Sequence, residues 1–112
     1  MCHGFLPHPM SRAETLRLYR EFYRDEYFIR VLDVEKDPKA SWQYLPYPSV
    51  ANVAGSNFVQ IGVDVDERRG RVVAFSALDN LGKGAASSAI QNMNCMLGWP
   101  EETGLADVGL HP

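Results

Sequence analysis

Apolar and polar positions alternate most regularly where Val59, Ile61, Val63 and Val65 are separated by Gln60, Gly62, Asp64 and Asp66. A period of two sends successive side chains to opposite faces of a strand, one buried and one wetter. Asp66-Glu67-Arg68-Arg69-Gly70 follows with turn chemistry, and Gly70 can take a positive φ. Arg71 to Leu78 then returns as a β-branched partner. The two segments predict an antiparallel hairpin.

A period near 3.6 governs two other stretches. Ser11 followed by Glu14 has capping-box spacing: the hydroxyl accepts a free amide and the carboxylate reaches back. A helix from Arg12 to Glu26 is expected. Leu18 and Phe22 share one stripe, Leu16, Tyr19 and Tyr23 lie beside it, and Arg17, Arg20, Glu21 and Arg24 are left for solvent. Phe28 to Leu32 reads as a short strand. Ala86, Ala89, Ile90, Met93, Met96 and Leu97 predict a second helix over Gly84 to Leu97, stopped by Gly98.

Between these lies a stretch with neither period. Pro38, Pro46 and Pro48 withhold amide donors, while Trp42, Tyr44, Leu45 and Tyr47 call for packing partners, so 34–56 is expected to be a long Pro/aromatic loop. The chain is read as one domain over 1–112, with 1–10 a mobile N-terminal segment and 99–112 a tail. The expected class is α+β, an antiparallel sheet with helices packed on one face.

Charge narrows the partners. A net charge of -3 without a basic stripe argues against nucleic acid. No apolar run approaches the roughly 20 residues of a membrane span, and the start of the chain has no signal-peptide pattern. With only Cys2 and Cys95, a reduced, cytoplasmic protein is expected.

The candidate chemistry sits in Asp79-Asn80-Leu81-Gly82-Lys83-Gly84-Ala85-Ala86, between the second hairpin strand and the second helix. Gly82 and Gly84 allow close backbone approach, Lys83 adds a charge, and Asn80 offers a donor and an acceptor. Two readings stay open: a contact site for an anionic or amide-bearing ligand, or a plain connection capped by Asp79 or Asn80. It is not a P-loop, because Ala77 stands where the first Gly belongs and Gly84 where Ser or Thr would hold magnesium. Gln91, Asn92 and Asn94 read as amides that fix packing, Asn92 and Asn94 falling on different helix faces. Cys2, His3 and His8 lack zinc-site spacing, so no metal is expected, and Cys95 reads as an inert buried thiol. No dinucleotide fingerprint and no nucleophile elbow occur, and no catalytic residue is assigned.

Several runs resemble the carboxyl-terminal part of N-acetyl-gamma-glutamyl-phosphate reductases. They are Gly55-Ser56-Asn57-Phe58, Ile61-Gly62, Asp66-Glu67-Arg68, Gly70-Arg71-Val72-Val73, Asp79-Asn80-Leu81, Lys83-Gly84-Ala85-Ala86, Gln91-Asn92-Met93-Asn94 and Thr103-Gly104-Leu105. Leu18-Tyr19, Phe22-Tyr23, Asp25-Glu26, Phe28 to Val31 and Tyr47-Pro48-Ser49 match upstream. The resemblance implies an arginine-biosynthetic oxidoreductase that reduces an acyl phosphate to a semialdehyde with NADPH, using a cysteine thiolate and a histidine. It also implies a truncated glyceraldehyde-3-phosphate-dehydrogenase-like C-terminal domain that self-associates. Asn80 is then the residue expected to touch NADP, with Gly82 and Lys83 beside it.

The departures carry weight. The family's catalytic Cys in its Gly-Cys-Tyr context and its His-Arg-His segment have no counterpart here, and the strand pair expected before the first helix is missing. Gly82 replaces a usual Val, and Ser87-Ser88 replaces Gly-Gln. The chain is therefore expected to be inactive alone and to need a chain supplying the nucleotide-binding domain. The alternative is a stand-alone dimerisation or interaction domain derived from that enzyme.

Overall fold

The computed structural model describes residues 1–32, 47–107, 109 and 110. Pro38, Trp42, Tyr44, Leu45, Pro46 and His111 lie outside them. The elements in chain order are β1 (Cys2–Phe5), α1 (Arg12–Phe22), β2 (Ile29–Val31), α2 (Val50–Val53), β3 (Val59–Asp66) and β4 (Arg71–Ala77). A π-helical turn (Gly82–Ala86) then leads into α3 (Ser87–Met96).

The hairpin forms as its alternation predicts. β3 and β4 pair antiparallel from Gln60 opposite Ala77 to Asp66 opposite Arg71, and Gly70 takes a φ of 60° in the turn between them. The four strands are ordered β1-β4-β3-β2. β1 adds to β4 antiparallel, with His3 opposite Val73 and Phe5 opposite Arg71. No element was expected within 1–10; Cys2–Phe5 is nonetheless an edge strand.

The expectation of a wholly antiparallel sheet is corrected: β2 runs parallel to β3, with Ile29 opposite Val59 and Val31 opposite Ile61. A parallel pair needs a long crossover, and the stretch from Leu32 to Phe58 is long enough to provide one. Val50–Val53 within it forms the short helix α2, so 34–56 is not loop throughout.

The α1 capping box is complete, since Glu14 N–H donates to Ser11 Oγ at 3.2 Å and Ser11 N–H donates to Glu14 Oε2 at 2.8 Å. The helix stops at Phe22 and is capped at Tyr23, shorter than the expected Arg12–Glu26. It packs on β3 and β2. Leu16 is buried and Tyr19 and Tyr23 half-buried, whereas Leu18 and Phe22 face outward at 48% and 78% exposure. α3 makes its main contacts with the π turn, whereas those of α1 are with β3 and β2.

Register assigns the faces. Val59, Ile61, Val63 and Val65 share one with Val72, Ala74 and Ser76, and Tyr19 and Tyr23 line a cleft with Ile61, Ala74 and Ser76 there. The other carries Gln60, Gly62, Asp64, Val73, Phe75 and Ala77. It is covered locally by Tyr47, whose ring lies 5.7 Å from that of Phe75, and by Pro48. Gly62 is required beneath them, because a Cβ there would come within 2.8 Å of both Phe75 Cε2 and Pro48 Cδ.

Among the described residues the buried apolar side chains are Leu16, Phe28, Val53, Val59, Val63, Ala77 and Leu105. Val63, 1% exposed, lies in the middle of the central strand. Val63→Ala should destabilise the chain by about 2 kcal/mol through lost burial and a residual void. Urea unfolding measures this, and a loss below about 0.5 kcal/mol would show that the sheet core closes elsewhere.

Candidate functional site

β3 begins and β4 ends side by side, because Gln60 is opposite Ala77. The segment entering β3 therefore lies next to the loop leaving β4. One carboxylate ties them. Asp79 accepts from the amides of Leu81 at 2.8 Å and Gly82 at 3.0 Å on its own loop, and from Gly55 at 2.6 Å across the gap. Gly55 takes a φ of 75°, a left-handed conformation that presents its amide at low steric cost. Of the two residues offered by the sequence, it is Asp79 whose carboxylate accepts amides at the start of the π turn, while the N-cap position itself is Leu81.

Asn80 follows on the exposed rim, beside Leu81, which is 80% exposed. Gly82 starts the π turn, and a Cβ there would approach the Ser56 carbonyl oxygen to 3.2 Å. At Gly84 a Cβ would meet Asn80 Oδ1 at 3.1 Å. The turn is wide because each amide reaches five residues back: Gly84 N–H to Asp79 O at 2.9 Å and Ala86 N–H to Leu81 O at 3.1 Å.

Lys83 points inward. Its ammonium lies 5.2 Å from the centroid of the Phe28 ring and donates to Gln91 Oε1 at 2.5 Å. Phe28 itself packs edge-on to Tyr27 and Phe58, with Arg30 over the Phe58 ring. Asn80, Gly82 and Lys83 thus share one turn but look different ways. Nothing in the periodicity marked Asn57, Gln91 or Glu101 as neighbours of this loop. Asn57 is 2% exposed and donates to Gln91, and Gln91 donates to Glu101.

The remaining candidates scatter. Asn94 is buried and Asn92 exposed, consistent with their different faces. Cys95 is exposed, which corrects its reading as a buried thiol, and Cys2 is an exposed free thiol too. Cys95 faces out because the apolar side of α3 is itself uncovered, with Ile90, Met93, Met96 and Leu97 between 43% and 87% exposed. His3 Nδ1 lies 2.8 Å from Arg71 across the β1–β4 pair. No group of three metal-ligating side chains occurs among the described residues.

The Asp79 carboxyl is held below its ordinary pKa by the amides of Gly82, Gly55 and Leu81. A carboxylate depressed on folding contributes fully above the ordinary carboxylate range, and its contribution is lost as pH falls through the folded value. Acidification from about pH 5 to pH 2 should therefore weaken the wild type progressively, with a shallower acid limb for Asp79→Ala. Urea titrations across that range test this; superimposable acid limbs would show that the carboxylate does not join the two segments.

The family described as "Semialdehyde dehydrogenase, dimerisation domain" matches residues 1–80. Three relatives bear the name N-acetyl-gamma-glutamyl-phosphate reductase. That of Geotalea daltonii is 50% identical over 103 residues, covering 92% of this chain and 27% of its own length. The Geobacter sulfurreducens protein is 49% identical over 110 residues, 98% of this chain and 29% of its own. The Acetivibrio thermocellus protein is 46% identical over 101 residues, 90% and 26%. The chain spans just over a quarter of the length of these relatives. It belongs to the semialdehyde dehydrogenase dimerisation-domain family, among sequences related to the N-acetyl-gamma-glutamyl-phosphate reductases.

Proposed function

We propose that this chain is the carboxyl-terminal, dimerising portion of a cytoplasmic N-acetyl-gamma-glutamyl-phosphate reductase of arginine biosynthesis. The observation that carries the reading is near-half identity to such reductases across at least nine-tenths of the chain. The three-dimensional relationship invoked is to the C-terminal domain of glyceraldehyde-3-phosphate-dehydrogenase-like enzymes. The chemistry of the whole enzyme is the NADPH-dependent reduction of an acyl phosphate to a semialdehyde.

This chain's part is to assemble and to position. Cys2 and Cys95 are exposed thiols, neither hydrogen-bonded to a base among the described residues. A thiol without an adjacent base or electropositive setting is a poor nucleophile at neutral pH, so the chain alone is expected to be inactive. The cofactor's fit is supported at one place, the rim of the π turn. There Asn80 presents a free amide to solvent, complementary to a carboxamide. π turns recur at functional sites because they aim backbone and side chains away from the regular ladder. Asn80 is the contact residue in this reading, with Gly82 and Lys83 beside it.

Self-association uses the sheet face that α1 leaves open. Phe5, 84% exposed, lies on it with Val73 and Phe75, and an open cleft of about 460 Å³ is lined there by Met1, Asp64, Val73 and Phe75 among others. A second copy related by twofold symmetry would cover it.

Two measurements test the proposal. Grafted into the Geotalea daltonii reductase in place of its matching segment, this chain should give NADPH-dependent turnover. Asn80→Ala in that chimera should weaken cofactor affinity by about 1–3 kcal/mol, read as a raised KM. An active chimera indifferent to Asn80→Ala would make the loop a structural connection only. In light scattering at high micromolar concentration the wild-type chain should be a dimer and Val73→Asp a monomer. A monomeric wild type would favour an interaction surface for a different partner.

A further inference from the structure

Behind the exposed rim of the loop, Lys83 meets a set of polar side chains that the reading above leaves unused. Glu101, in the turn after α3, accepts from Gln91 Nε2 at 2.6 Å. Gln91 Oε1 in turn accepts from Lys83 Nζ at 2.5 Å and from Asn57 Nδ2 at 3.3 Å. An amide has a donor end and an acceptor end of nearly equal size, so it fits two ways round unless its neighbours differ. Here they differ fully. A carboxylate that only accepts stands at one end, and an ammonium that only donates stands at the other.

That polarity reaches Asn57. With Gln91 Oε1 turned toward it, Asn57 has to present Nδ2, and its Oδ1 is left buried with no hydrogen-bond partner among the described residues. A buried acceptor without a partner is unfavourable, so a preference of the Asn57 oxygen does not set its own orientation. Gln91 sets it. Glu101 is anchored in turn, because Asn94, 1% exposed, donates to the carbonyl oxygens of Glu101 at 3.1 Å and Thr103 at 2.9 Å.

We propose that Glu101, Gln91 and Lys83 form an amide-bridged ion pair that anchors the 79–84 loop from beneath, with Gln91 as its positioning residue. The anchor explains why Lys83 lies against the Phe28 ring while Asn80 stays on the rim. The side chain that pulls the π turn inward is the same one that the bridge holds. Its functional consequence rests on the reading of this loop as a cofactor contact.

The bridge is tested on the chain itself by the side-chain amide resonances of Gln91 and Asn57. Glu101→Lys should move both, although Glu101 and Asn57 share no hydrogen bond among the described residues. Glu101→Gln, which keeps the shape, should move them in the same sense by less. The charge-swapped double variant Lys83→Glu, Glu101→Lys should recover the order lost in the single variants, because the bridging amide can turn end for end. Asn57 resonances indifferent to Glu101→Lys and Glu101→Gln, or a double variant no better ordered than Glu101→Lys, overturn the bridge.

The positioning role is read separately in the chimera. Glu101→Lys should raise the KM for NADPH about fivefold with little change in kcat, and Glu101→Gln should raise it by less. An effect of Asn80→Ala without one of Glu101→Lys overturns the positioning role. Indifference to both, with the resonance coupling intact, leaves the bridge standing and removes the cofactor reading of the loop.

Discussion

The β3–β4 ladder is the reference on which every other placement depends. It has the longest register among the described residues, it receives β1 on one side and β2 on the other, and Val63 at its centre is almost fully buried. Its open end does more than hold the sheet together. By setting Gln60 opposite Ala77 it brings the segment before β3 beside the loop after β4, within reach of one carboxylate. Asp79 then needs only three short hydrogen bonds to join segments 24 residues apart in sequence.

The distribution of apolar surface points outward. Core side chains fully buried to below 2% are Val53, Val63 and Asn94, while Phe5, Phe22, Leu81, Met96 and Trp99 are more than half exposed. A chain this short has little volume in which to hide large side chains, and the excess gathers on α1, on β1 and along α3. Such surface is costly in water. The family that the chain belongs to is described as a dimerisation domain.

The loop from Asp79 to Lys83 divides labour among neighbours by direction. Asp79 turns toward Gly55 and its own helix start, Lys83 turns down onto Phe28 and Gln91, and Asn80 stays outside. A π turn makes this possible, since adding one residue per turn rotates the side chains that follow. The result is a rim residue on a loop whose other side chains are tied down away from the rim.

Local signals in the sequence were sufficient wherever the determining interaction was local. The alternation from Val59 to Val65 specified the hairpin, Ser11 with Glu14 specified where α1 begins, and Gly98 with a φ of 70° marked the end of α3. Two glycines with Lys83 and Asn80 singled out the 79–86 loop, and the family resemblance pointed to Asn80 within it. Period and capping could not reveal that β2 pairs parallel to β3, because a three-residue strand reads the same in either direction and only the crossover decides. They could not reveal β1, whose four residues are held by pairing with a strand some seventy residues away and bury little of their own. Nor could they show that Asn57, Gln91 and Glu101 meet under Lys83, since hydrogen bonds between distant amides and carboxylates leave no spacing behind. The sequence by itself determined the hairpin, the start of α1 and the end of α3, through contacts between near neighbours. Tertiary structure alone decided strand direction, the edge of the sheet and the polar chain beneath the loop, because each depends on groups that only folding brings within hydrogen-bonding distance.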